Sequence, residues 1–354
     1  MSVFAVIIAG GNGERLWPIS TPRRPKQFVS LFEGKPLIQH AVDRLEGLFS
    51  PEHIIVITAQ RFVAMTRNVL PNIPKCNIIG EPCLRDTAAA VAVGCGVVKK
   101  LGGDEAVGCI LTADQLISPK EVFRKSLEDA IKVAQKNASI VTMGVVPNYP
   151  ATGFGYVQCG QKIDVGTKTE FFKVKRFVEK PSLQTAQKYL RDGGFYWNSG
   201  MFIWRVDVLE SAFASVAADI GELINKVVRA KSIASVLRKI YPTMRAISFD
   251  YGVMEKIDNI LVAKSEFLWD DVGSWIALEN QFSKDNKNNV CLGKTLLYEV
   301  SDTVVVGEAP NHLIAMIGVK DIVVVHTKEA TLVCAKEHVQ DIKKLLLQKK
   351  INEK

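Results

Sequence analysis

Val3-Phe4-Ala5-Val6-Ile7-Ile8-Ala9 runs straight into Gly10-Gly11-Asn12-Gly13-Glu14-Arg15-Leu16-Trp17-Pro18. An unbroken apolar run fits a strand buried on both faces, and the glycines behind it allow a tight turn close to a ligand. The same texture returns at Ile54–Thr58 (IIVIT), Val107–Thr112 (VGCILT) and Ile140–Val146 (IVTMGVV). Helical patterns lie between these runs. Pro36–Leu48 places Leu37, Ile38, Ala41, Leu45 and Leu48 on one face; Ala88–Leu101 is small and apolar; Pro119–Gln135 is amphipathic and opens on a proline. Strand–helix alternation of this kind predicts a doubly wound, Rossmann-like α/β fold with a mostly parallel sheet. Ligands of such sheets bind beyond the carboxyl ends of the strands.

Outward from that core, the texture changes after Trp275. Lys284–Asn289 (KDNKNN) is a polar break, and short strands follow at Thr295–Val300, Thr303–Gly307, Leu313–Ile317, Ile322–His326 and Thr331–Ala335. Their spacing fits a small all-β module, either a sandwich or a few coils of β-helix, closed by a helix over Val339–Lys350. The expected domains are 1–283 and 284–354, in keeping with a length of 354 residues.

Composition excludes several classes. Hydrophobic residues at 47% and charged residues at 23% rule out a disordered or collagen-like chain. No apolar run is long enough for a membrane helix, and Met1–Ala9 has no basic leader, so it reads as a strand and not as a signal peptide. The net charge of +8 suits anionic partners. No Arg/Lys stripe interleaved with aromatics supports nucleic acid as one of them. Seven cysteines, with no CxxC, predict reduced thiols and a cytoplasmic protein. The five histidines show no zinc-ligand spacing.

Chemistry is concentrated near the first turn. It lacks the Walker A pattern, and Leu16 stands where a dinucleotide fingerprint needs its third glycine, so neither a P-loop ATPase nor a nicotinamide enzyme is expected. Behind the turn come Arg15, Arg23, Arg24 and Lys26, a set able to surround a polyphosphate. Asp114 follows the strand Val107–Thr112, where a carboxylate can hold magnesium on a phosphate. Trp269-Asp270-Asp271-Val272-Gly273-Ser274-Trp275 offers a second carboxylate for the same ion. Glu179-Lys180-Pro181 and Trp197-Asn198-Ser199-Gly200 hold side chains that suit sugar hydroxyls and a phosphate.

Together these segments resemble the sugar-nucleotide pyrophosphorylases, and within them the mannose-1-phosphate guanylyltransferases of the short, single-function form. Glu81-Pro82…Arg85-Asp86-Thr87-Ala88, Thr152-Gly153-Phe154-Gly155-Tyr156 and Asp250-Tyr251…Met254-Glu255-Lys256 complete the series in the family's order. The resemblance runs from the first strand to Trp275. It implies a nucleotidyltransferase fold with a C-terminal left-handed β-helix-like module, and a homodimer. The implied reaction is in-line transfer of GMP from GTP to mannose 1-phosphate with Mg²⁺. Arg15, Lys26 and Asp114 are the implied catalytic residues. Gly10, Gly11, Gly13, Glu81 and Thr87 are implied to bind nucleotide; Gly155, Glu179, Lys180 and Asn198 the sugar phosphate; Asp114 and Asp271 the metal. Two positions depart from the family: Gln115, where His is usual, and Asp86, where Asn is usual. Other activities considered are a guanylyltransferase for a manno-heptose phosphate and a non-catalytic nucleotide-sugar-binding homologue.

Overall fold

A computed structural model describes residues 1–11 and 13–352. The chain forms two compact units. The first comprises Met1–Gly10, Gln39–Ala113 and Ile117–Trp269. The second comprises Gly11–Ile38, Asp114–Leu116 and Asp270–Lys354.

The first unit is built on a nine-stranded sheet. Its strands in chain order are β1 (Val3–Ala9), β2 (Ile54–Ala59), β3 (Ile78–Glu81), β4 (Val107–Thr112), β5 (Ile140–Val145), β6 (Tyr156–Ile163), β7 (Phe171–Val178), β8 (Phe195–Arg205) and β9 (Ile260–Ser265). They lie in the order β3-β2-β1-β4-β8-β5-β9-β7-β6. The pairs β1–β2, β1–β4, β2–β3 and β5–β9 are parallel. Strand β8 runs antiparallel between β4 and β5, and β7 antiparallel between β9 and β6. The sheet is therefore mixed, although only β7 and β8 oppose the common direction.

The core explains the pattern. Phe4, Val6, Ile55 and Ile57 face the helix Asp86–Gly102, whose alanines and valines are buried among them. Alternate residues of a strand point to opposite faces. Ala5, Ile7, Cys109 and Leu111 on the other face are equally buried, and the helix Lys120–Lys136 buries Phe123, Leu127 and Ala130. Both faces are covered, as in a doubly wound fold.

Three expectations differ locally. The helix over Pro36–Leu48 is helical only from Leu37 to Asp43, the rest being turns. Strands β6 and β7 were not visible as apolar runs because half of their residues face solvent. The terminal helix starts at Ile342, after a 3-10 stretch at Lys336–Asp341.

In the second unit, parallel strands stack in successive coils. Val290–Leu292 pairs with Val304–Gly307, which pairs with Ile322–His326; Lys294–Tyr298 pairs with Leu313–Ile317. Thr331–Ala335 closes the stack antiparallel. This is a β-helix-like module. Its valines, among them Val306 and Val325, share one apolar core with Leu16, Ile19 and Val29 of the loop after β1.

Candidate functional site

The parallel strands β1 and β4 release the chain side by side, with Ile8 opposite Thr112 and the Ala113 amide bonded to the Ile8 carbonyl at 3.1 Å. One exit leads to the glycine turn, the other to Asp114. Asn12 lies outside the described residues. After Gly13 (φ 58°) comes a 3-10 turn, Glu14–Leu16, with the Leu16 amide donating to the Gly13 carbonyl at 3.0 Å. A Cβ on Gly13 would lie 2.3 Å from the Lys26 Cβ, so this glycine is what lets Lys26 approach. At Gly10 and Gly11 an added Cβ meets nothing within 4 Å, which leaves the turn's backbone open to a ligand.

Lys26 is nearly buried, which is rare for a lysine without partners. Its Nζ donates to Asp114 Oδ2 at 2.9 Å and to the Asp271 carbonyl oxygen. Asp271 sits on a turn in which the Gly273 amide donates to its Oδ1 at 2.8 Å and the Val272 amide donates to Asp270 Oδ1 at 2.7 Å. Val272 is fully buried with φ 47°, a conformation costing a β-branched residue on the order of 1–3 kcal/mol. Asp270 is buried, and its Oδ1 is taken up by the turn's own Val272 amide.

Burial pushes the Asp271 carboxyl up, Lys26 pulls it back, and the neighbouring Asp114 charge adds to the upward push. The Asp114 and Asp271 carboxylates, both oxygen donors, form a set that fits a hard divalent cation. Among the described residues no group of three or more acidic, His or Cys side chains is placed to hold a metal. Substrate phosphates are the usual remaining ligands of such a pair. Arg15 has a buried Nε with no hydrogen-bond partner among the described residues, as an anion site would have before its ligand arrives. Arg24, by contrast, is turned away to Glu308, so only part of the expected basic cluster is available to a phosphate.

The sugar-binding candidates gather in the first unit. Asn198 lies in β8 opposite Gly144, next to a register shift in the β5–β8 pairing. Its amide donates to the Gly155 carbonyl at 2.8 Å, and its Nδ2 donates to Asp250 Oδ1 at 2.6 Å. The Gly200 amide donates back to Asn198 Oδ1 at 3.2 Å. A Cβ on Gly155 would stand 2.9 Å from Glu179 Oε2, so Gly155, Glu179 and Asn198 are brought together. Lys180 Nζ lies 2.7 Å from Glu179 Oε1, with both side chains more than half exposed, a weak pair that a phosphate can break. Asp250, the partner of Asn198, is a further candidate that sequence reasoning left without a role. Burial pushes its carboxyl up, the Asn198 bond opposes that, and Glu179 adds to the rise. Glu255 is raised by burial and by the same two carboxylates. The available signal was the segment Asp250…Glu255, which stood out in the sequence without a role.

The nucleotide candidates of this unit are engaged already. Glu81 ends β3 and is 6% exposed, its Oε1 accepting from the Tyr241 hydroxyl. Burial pushes the Glu81 carboxyl up, and the phenol bond offsets part of this. Thr87 Oγ1 accepts from the Phe249 amide at 2.8 Å, which fastens the start of the helix Asp86–Gly102 to the Asp250 segment. Gln115 is buried.

The nucleotidyl transferase family matches residues 4–288, and a MannoseP isomerase/GMP-like β-helix domain matches residues 295–348. A mannose-1-phosphate guanylyltransferase of Klebsiella pneumoniae is 38% identical over 96% of this chain and 72% of its own. The chain belongs to the mannose-1-phosphate guanylyltransferase family. A second member, mannose-1-phosphate guanylyltransferase 2 of Escherichia coli O157:H7, is 34% identical over 99% of this chain and 74% of its own. A solved structure from Thermus thermophilus, named as a mannose-1-phosphate geranyltransferase, superposes with a TM-score of 0.89 at 32% identity, covering 99% of this chain and all of that one. Nucleotidyltransferases of this family generally use a divalent metal. No helix among the described residues is long and apolar enough to cross a membrane.

Proposed function

We propose that this protein transfers GMP from GTP to α-D-mannose 1-phosphate, giving GDP-mannose and pyrophosphate, with Mg²⁺ as its metal. The observation that carries the reading is the meeting of Lys26, Asp114 and Asp271 behind the glycine turn. An oxygen of the sugar phosphate attacks the α-phosphorus in line, its new P–O bond replaces the one to pyrophosphate, and no enzyme nucleophile is needed. Transfer of this kind depends on positioning and charge stabilisation. The amides of the Gly10–Gly13 turn cradle the phosphates. Arg15 and Lys26 neutralise charge at the α-phosphate and on the departing pyrophosphate. Asp114 and Asp271 would hold the magnesium ion, which would supply further neutralisation of phosphate charge. Gly155, Glu179 and Asn198 read mannose hydroxyls, Lys180 takes the sugar phosphate, and Thr87 lies on the nucleotide side.

Glu81 is proposed as the guanine reader. Guanine offers two adjacent N–H donors, and a carboxylate accepts both. Its bond to Tyr241 supports this role, since it holds the carboxylate in one orientation. Glu81→Gln is expected to lower the GTP-over-UTP preference in kcat/KM by about 10- to 100-fold, the worth of a charged hydrogen bond. An unchanged preference would refute the role.

The division into 1–283 and 284–354 is proposed as the functional one, supported by the two family matches. A cytoplasmic location is supported by seven free cysteines. A homodimer is supported by Leu296, Tyr298 and Ile317, which stand more than half exposed on one face of the paired strands Lys294–Tyr298 and Leu313–Ile317.

The whole reading is tested by pyrophosphate release from mannose 1-phosphate and Mg²⁺ with GTP, ATP, UTP or dTTP in turn. Release with GTP is expected. Release with another nucleotide but not GTP, or with none, would overturn it.

A further inference from the structure

The C-terminal module and the Asp271–Trp275 segment packed into its core touch the basic loop at three kinds of contact. Leu16, Ile19 and Val29 of the loop are buried in the same core as Val306 and Val325 of the module. The Trp275 indole, wholly buried in that core, donates from Nε1 to the Trp17 carbonyl at 3.0 Å. Arg24 pairs with Glu308 on the module.

Each tether ends next to a group with a chemical role. Trp17 is two residues from Arg15, and its own amide is bonded to the Glu14 carbonyl at 3.1 Å. Arg24 exchanges backbone bonds with Thr21 (2.9 and 3.0 Å) and is two residues from Lys26. Trp275 belongs to the same segment as Asp271, so one side chain links the metal-site turn to the glycine turn. The backbone between these tethers has little freedom: Phe28 donates to Pro25 and Val29 to Lys26, each at 2.9 Å.

We propose that the C-terminal β module is a positioning part of the catalytic apparatus, holding the glycine turn, Arg15 and Lys26 in working geometry through Trp275, which is seated in the module's core, and through the Glu308–Arg24 pair. This rests on the phosphate-transfer reading given above and assigns the module a task beyond packing or dimer formation. Trp275 and Glu308 touch no substrate; they act through Trp17 and Arg24.

Three variants test it, each read by steady-state kinetics with GTP and mannose 1-phosphate and by amide hydrogen exchange over residues 13–29. Trp275→Phe keeps an aromatic ring but loses the N–H donor together with part of the buried indole's volume, so a thermal melt is run alongside. It is expected to lower kcat by about tenfold, the worth of one buried hydrogen bond, with KM for mannose 1-phosphate unchanged. Exchange at Leu16 and Trp17 should quicken. Glu308→Arg sets two guanidinium groups against each other on an exposed site that cannot unfold the core. It should slow turnover several-fold and quicken exchange at Phe28 and Val29. The swap Arg24→Glu with Glu308→Arg should restore both readouts. Wild-type kcat and exchange in Trp275→Phe, or failure of the swap to rescue Glu308→Arg, would overturn the proposal. Should the wild-type protein turn over no substrate, the reaction assignment falls, while the exchange data still decide whether the module holds the loop.

Discussion

Asp114→Asn is expected to lower turnover by about three orders of magnitude, close to 4 kcal/mol of transition-state stabilisation, while the protein stays folded. The argument has two parts. Asp114 is a proposed metal ligand and also the hydrogen-bond acceptor of Lys26 at 2.9 Å. An asparagine keeps the oxygen acceptor for Lys26, with similar volume, but removes the charge that a divalent ion needs. Its side chain is 33% exposed and its partner is already held by the Asp271 carbonyl, so folding depends little on it. Kinetics against Mg²⁺ concentration, with a thermal melt alongside, provide the check. A variant that retains normal Mg²⁺-dependent rates would remove Asp114 from the metal site. A variant that melts far below the parent would make it a structural residue.

Gly13→Ala is the second large effect. The added methyl would fall 2.3 Å from the Lys26 Cβ and 3.1 Å from both its Cα and its amide nitrogen. Main-chain and Cβ atoms cannot rotate away, so either the turn or Lys26 must move. The φ of 58° adds a penalty of about 1–2 kcal/mol for any residue other than glycine. Displacing a charge-stabilising group by around 1 Å costs on the order of a hundredfold in rate, which is the expected fall in kcat. Gly10→Ala provides the contrast. Its Cβ meets nothing within 4 Å, so the melting temperature should hold, and any loss there reports on the ligand. If Gly13→Ala keeps both rate and stability, the close approach of Lys26 is not a requirement.

Much of the fold was legible, for a reason visible in particular residues. Strands β1, β2, β4 and β5 are buried on both faces, so they read as unbroken apolar runs. Five of the module's strands were found to within two residues, because turn signals separate them, whereas the short Val290–Leu292, directly after the polar break, was not. Strand β8 carries Asn198, Ser199 and Gly200 in its middle and therefore read as a site and not as a strand. Its polar centre is the place where sheet pairing shifts register, a feature that often re-aims a side chain.

The placement of the candidate site residues was legible where they follow strands, since chain order then predicts it. Gly10–Gly13 and Asp114 are of this kind. Partners that meet through long-range contacts were not legible. Nothing local in Tyr241 shows that its hydroxyl reaches Glu81, 160 positions earlier. Nothing in Arg24 shows that it pairs with Glu308 and not with a phosphate.

The second unit is assembled from Gly11–Ile38, Asp114–Leu116 and Asp270–Lys354. During synthesis its first segment emerges early and its last segment much later. Until the valines of the module have left the ribosome, Leu16, Ile19 and Val29 have no core to enter. Domains generally fold as their chain becomes available, and long-range contacts form late. The nine-stranded sheet, complete by Ser265, can be in place before that. A nascent chain would then carry a folded sheet and an unsettled glycine turn, becoming competent only once the module has emerged.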